Sequence, residues 1–159
     1  MQHRAAIQPR VLITGFDPFD GMTENLSARL VHDLESRDFG PDVGIEAVFA
    51  VLPVRYGEIR SEVMRLLNAY TPSVVLAFGI GRGDALITIE RVALNLDDAE
   101  SADNSGEIRL LTQSDLPVRA GFFHLPRLPW SRQLGSELER AVRIICRAIA
   151  PHGETTSVA

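Results

Sequence analysis

Val74-Val75-Leu76-Ala77-Phe78 decides how the rest of the chain is read. An unbroken apolar run is what a strand shows when both its faces are covered, as in a parallel sheet. Upstream, Tyr56 to Tyr70 carries Ile59, Val63, Leu66 and Leu67 on one helical face, with Pro72 as its stop. Ile45 to Leu52 precedes that helix as a strand ended by Pro53. Further back, Asn25 or Ser27 is placed to cap a helix with the apolar stripe Leu26, Leu30, Val31 and Leu34, broken by Gly40 and Pro41. Arg10 to Thr14 is a short buried strand stopped by Gly15. Downstream, Leu86 to Leu96 and Ala120 to Leu125 read as strands, with the acidic and polar Asp97 to Ser114 as a loop between them. A last helix starts at Ser131 or Ser136, shows Leu134, Leu138, Val142, Ile145 and Ile149 along one face, and ends at Pro151 and Gly153. This alternation predicts an α/β fold with helices on both faces of a mostly parallel, mixed sheet.

The 159 residues are expected to form one domain, with 1–9 and 152–159 as flexible tails. A net charge of −5 argues against non-specific nucleic-acid binding. No apolar run is long enough to span a bilayer, and the polar Met1 to Arg10 is no secretory signal. A single cysteine forms no internal disulfide, so the cytoplasm is the expected location. His3, His32, His124 and His152 are scattered and have no zinc spacing, so no metal or cofactor is expected.

Glu90 shares a strand face with Thr88, Val92 and Leu94. A carboxylate on so apolar a face needs a partner. It is either a buried structural ion-pair member or the group that orients a catalytic histidine. His124, near the end of its strand and before Pro126, stands where open α/β sheets bind ligands. It serves either as a general base or as a hydrogen-bonded structural ring. Cys146 falls on or beside the apolar stripe of the last helix and reads as a buried, inert thiol. Gly79-Ile80-Gly81-Arg82-Gly83 lacks both nucleotide-loop spacings and reads as a tight turn. Phe16 and Phe19, in the turn after the first strand, either cap the core or line a pocket for a flat ring.

Several of these stretches resemble the pyroglutamyl peptidase I (pyrrolidone-carboxylate peptidase) family of cysteine peptidases. Thr14-Gly15-Phe16-Asp17-Pro18-Phe19 with Asn25 is similar to its N-terminal signature. Ile87-Thr88-Ile89-Glu90-Arg91-Val92-Ala93-Leu94-Asn95, followed by Asp97-Asp98-Ala99 and Asp103-Asn104-Ser105-Gly106, is similar to its acidic signature. Ala120-Gly121-Phe122-Phe123-His124-Leu125-Pro126 resembles its histidine signature. The resemblance implies a three-layer α/β/α sandwich and removal of N-terminal pyroglutamate from peptides through a Cys-His-Glu triad. By it, Glu90 orients His124, Phe16 and Phe19 sandwich the pyrrolidone ring, and Asn25 belongs to the substrate pocket.

The family's nucleophile stretch, Ser-Asn-Thr-Ala-Gly-Thr-Phe-Val-Cys-Asn, has no match, because Asp115-Leu116-Pro117-Val118 runs directly into Arg119-Ala120-Gly121. Cys146 lies beyond the histidine, in the wrong helix. Glu100 stands where the family carries an arginine that steadies the oxyanion, and Ile80 where it carries a glutamine. Ser105 and Ser114 are the nearest hydroxyls, and neither has the context of a nucleophile elbow. The expected protein is therefore a shortened, degenerate member without covalent catalysis, a pseudoenzyme. The alternative is a non-catalytic pyroglutamyl-binding or protein-interaction module. Loss of one interior strand is expected to make neighbouring strands close up or leave an edge, and an edge favours a homo-oligomer.

Overall fold

β1 (Arg10–Phe16) lies between β2 (Glu46–Leu52) and β3 (Val74–Ile80), and pairs in parallel with both. β3 pairs in parallel with β7 (Ala120–Leu125), and β4 (Thr88–Ile89) closes the order β2-β1-β3-β7-β4 as an antiparallel edge. The computed structural model describes residues 8–81, 87–89, 96–97, 103–106, 112–113 and 120–149. The expected tails lie outside these except for residues 8 and 9. The expected α/β class is found: the described residues form a five-stranded, mostly parallel mixed sheet with three α-helices, beside a separate two-stranded ribbon.

Alternate residues of the strands feed two cores. On one face Val11, Ile13, Leu76, Phe78, Phe123 and Leu125 pack with α1 (Leu26–Ser36) and α3 (Arg132–Ile149). On the other, Leu12, Leu52 and Val75 pack with Leu66 and Leu67 of α2 (Tyr56–Tyr70). The helix starts follow capping chemistry. Asn25 is the N-cap of α1 and its Oδ1 accepts from the Ser27 N–H at 2.9 Å. The Ser131 hydroxyl oxygen accepts from the Leu134 N–H at 3.1 Å, so Ser131 rather than Ser136 opens α3.

Of the strand expected over Leu86 to Leu96, residues 86 and 90–95 lie outside the described residues, and its two described paired parts lie in different sheets. Thr88–Ile89 joins the main sheet. Leu96–Asp97 (β5) instead pairs antiparallel with Thr112–Gln113 (β6) in a separate ribbon. The loop expected over Asp97 to Ser114 is corrected at the same points. A polar Thr-Gln pair carries no apolar periodicity from which a strand could be read. The glycine run is corrected as well, because Gly79 and Ile80 are the last residues of β3. Arg82 and Gly83 lie outside the described residues.

Asp103 and Asn104 tie three connections together. The Asp103 carboxylate accepts from the Tyr56 N–H at 2.6 Å, capping α2 from a distant segment where Arg55 offers no side-chain cap. It also accepts from the N–H and hydroxyl of Ser105 at 2.8 and 2.7 Å. The Asn104 N–H donates to the Val54 carbonyl and its side-chain amide to the Pro18 carbonyl. Asp103→Ala is expected to lower folding stability by about 1–2 kcal/mol, read from urea unfolding, since it removes both a cap and a charge at a helix N-terminus.

Candidate functional site

Three parallel strands end side by side at β1, β3 and β7, and the residues pointing to the α2 face there are Phe16, Gly79 and His124. His124 stands opposite Gly79 of β3 and Thr88 of β4. Phe122, two residues before His124, shares its face, and the ring centroids are 4.9 Å apart. Phe16 meets the other side of Phe122 at 6.1 Å. The row Phe16–Phe122–His124 thus crosses the strand ends.

The glycines make that row fit. A Cβ at Gly79 would lie 2.6 Å from Cζ of Phe122, and one at Gly81 would lie 2.9 Å from Cβ of His124. Both glycines serve close side-chain approach. Phe122 was not singled out from sequence, although the period-two pattern of Ala120 to Leu125 places it on the His124 face.

The other expected site residues divide. Phe16 joins the row, and its N–H donates to the Ser27 hydroxyl oxygen at 3.0 Å. Phe19 is half-buried in the β1–α1 turn and makes no ring contact among the described residues. Asn25 is buried and engaged. Its Oδ1 accepts from the N–H and hydroxyl of Ser27, and its amide donates to the Asp17 carbonyl at 3.1 Å. Glu90, Glu100 and Ser114 lie outside the described residues. Among the described residues, no group of three or more His, Cys, Asp or Glu side chains is arranged to hold a metal ion.

Cys146, the only cysteine of the chain, is 0% exposed. It packs in the α1–α3 core with Phe123 and Leu125, which point away from His124 along β7. The sheet therefore stands between the thiol and the imidazole. Burial pushes the thiol up to about 11, and Arg143 only partly opposes this. The consequence for stability has a definite sign. Below the ordinary thiol value of 9.0 the group is protonated in both states. From there to about 11 the unfolded chain loses a proton that the folded chain keeps, so stability falls as pH rises. The full loss is about 3 kcal/mol. Comparing alkaline urea titrations of the wild type with Cys146→Ala, the variant is expected to lack this component of the slope.

The family model described as pyroglutamyl peptidase matches residues 9–111. Pyrrolidone-carboxylate peptidase 1 of Ralstonia nicotianae is 43% identical over 98 residues, which are 62% of this chain and 44% of that protein. Pyrrolidone-carboxylate peptidase of Pseudomonas fluorescens is 38% identical over 71% of this chain and 52% of its own length. The chain spans about half the length of the curated relatives it matches. Among solved structures, pyroglutamyl peptidase I from Bacillus amyloliquefaciens superposes with a TM-score of 0.73 at 20% identity, over 90% of this chain and 96% of that one. Pyrrolidone carboxyl peptidase from Fervidobacterium islandicum gives 0.72 at 22% identity, over 89% and 98%. Among the described residues no helix is long and apolar enough to cross a membrane. With a family model matched over more than half its length, this chain belongs to the pyroglutamyl peptidase family.

Proposed function

We propose that the chain is a pyroglutamyl peptidase-family protein that carries out no thiol-dependent hydrolysis. One observation carries the reading: the sole thiol is buried on the face of the sheet opposite His124. Covalent hydrolysis needs a thiolate within hydrogen-bond reach of its base, close to the scissile carbonyl. A buried thiol with a raised pKa is a poor nucleophile on both counts. In this reading Glu90 and His124 are the retained carboxylate and imidazole of the family signature, with no nucleophilic sulfur to serve. A cytoplasmic setting belongs to the same proposal.

A second reading, binding without cleavage, is favoured by the ring row at the strand ends. Phe16, with Phe19 and Asn25, would then hold the pyrrolidone ring of a peptide beginning with pyroglutamate, and the Gly79 gap keeps Phe122 in place beside it. The experiment is release of a fluorescent amine from a pyroglutamyl amide by reduced wild type and Cys146→Ala. Neither protein is expected to turn it over. Turnover by the wild type that disappears in a folded Cys146→Ala overturns the proposal. A rise in melting temperature with an uncleaved pyroglutamyl peptide, lost in Phe16→Ala, selects the binding reading.

A further inference from the structure

We propose that the cleft between the β1–α1 and β7–α3 loops binds a small organic carboxylate with an aromatic or other apolar body. The cleft measures about 450 Å³, inside the range of about 300–1,000 Å³ that small-molecule sites occupy. It is lined by Ile80, whose side chain belongs to the α1–α3 face, so it lies across the sheet from His124. Met22, Leu26, Leu128, Pro129 and Trp130 supply the rest of its apolar wall. The Trp130 ring is seated against Gly135, where a Cβ would come within 2.5 Å of it.

Charge in the lining favours an anion. The lining holds two guanidinium groups, Arg29 and Arg127, and one carboxylate, the exposed Glu24, with Asp20 beside Arg127 just outside it. The Arg29 guanidinium lies 5.5 Å over the Trp130 ring, and no carboxylate among the described residues pairs with it. A guanidinium stacked on an aromatic face keeps its N–H edge available, and that edge matches a carboxylate in two parallel hydrogen bonds. Among the described residues Arg127 pairs only with Asp20, an exposed contact at 3.5 Å that an incoming carboxylate can replace at little cost. The first turn of α1, which reaches the cleft at Leu26, contains no acidic residue to offset the positive helix end. A flat apolar body against Trp130 with its carboxylate on Arg29 uses both halves of the lining.

Trp130 is the one tryptophan of the sequence, so fluorescence excited beyond the absorption of Tyr56 and Tyr70 reports on this cleft. The full chain is titrated with phenylacetate and with its uncharged counterpart 2-phenylethanol, and isothermal calorimetry gives a second readout independent of the indole. Phenylacetate is expected to saturate with a dissociation constant of about 1 mM or below. Arg29→Gln, an exposed position, is expected to weaken it roughly tenfold or more, the equivalent of one charge-assisted hydrogen bond. The alcohol is expected to bind more weakly by a similar factor. Absence of saturable binding by calorimetry, equal binding of acid and alcohol, or unchanged affinity in Arg29→Gln overturns the proposal.

Discussion

Gly15→Ala is expected to cost about 3 kcal/mol of folding stability. A Cβ there would stand 2.5 Å from the Ser27 carbonyl oxygen, 2.6 Å from its carbon and 2.8 Å from the Ala28 nitrogen. All three atoms are backbone, so no rotamer change relieves the overlap. α1 would have to lift off β1. It is held down by Leu30 and Leu34 in the core and by the bond from the Phe16 N–H to the Ser27 hydroxyl. Urea unfolding measures the loss. Gly57→Ala is the control, because a Cβ there meets nothing within 4 Å and the position lies inside α2. The control is expected to be neutral or stabilising by up to about 1 kcal/mol. Equal midpoints for wild type and Gly15→Ala would show that α1 does not sit on β1 as described.

Asn25→Ala is expected to cost a further large amount, about 3 kcal/mol. The change strips partners from the Ser27 N–H, the Ser27 hydroxyl and the Asp17 carbonyl together, and Asn25 and Ser27 are both buried. Asn25→Ser, which restores a capping oxygen but not the amide donor, is expected to recover part of the loss. The outcome bears on function. The family resemblance places Asn25 in the substrate pocket, whereas its hydrogen bonds hold the turn that carries Phe16 and Phe19. A ligand affinity that falls in Asn25→Ala but persists in Asn25→Ser reports on the turn and not on a direct contact. Unchanged stability in Asn25→Ala would contradict the capping role.

Elements governed by local chemistry were legible in the sequence. Tyr56 to Tyr70 and Ala120 to Leu125 have the expected bounds, because one shows a helical stripe before Pro72 and the other a short apolar run. The α1 stripe Leu26, Leu30, Val31 and Leu34 is buried as its spacing implies. What depends on distant partners was not legible. Asp103 caps α2 from 47 residues away, a pairing that no local window contains. Thr112–Gln113 forms a strand only because Leu96–Asp97 comes beside it. Gly79 and Gly81 read as a turn because the rings that need their missing side chains, Phe122 and His124, arrive much later in the chain. Cys146 could be placed on the apolar stripe of its helix from spacing alone. That its helix packs on the face away from His124 is a property of the sheet, which a sequence period does not report.

The placement of that thiol is tested by alkylating the native, reduced protein with iodoacetamide at neutral pH and following Cys146 by mass spectrometry. No adduct is expected over the time in which the same protein in urea is fully labelled, since the native thiol is buried and protonated. Rapid stoichiometric labelling of the native chain, slowed by a pyroglutamyl peptide, would put a reactive thiol at the ligand site and contradict the account.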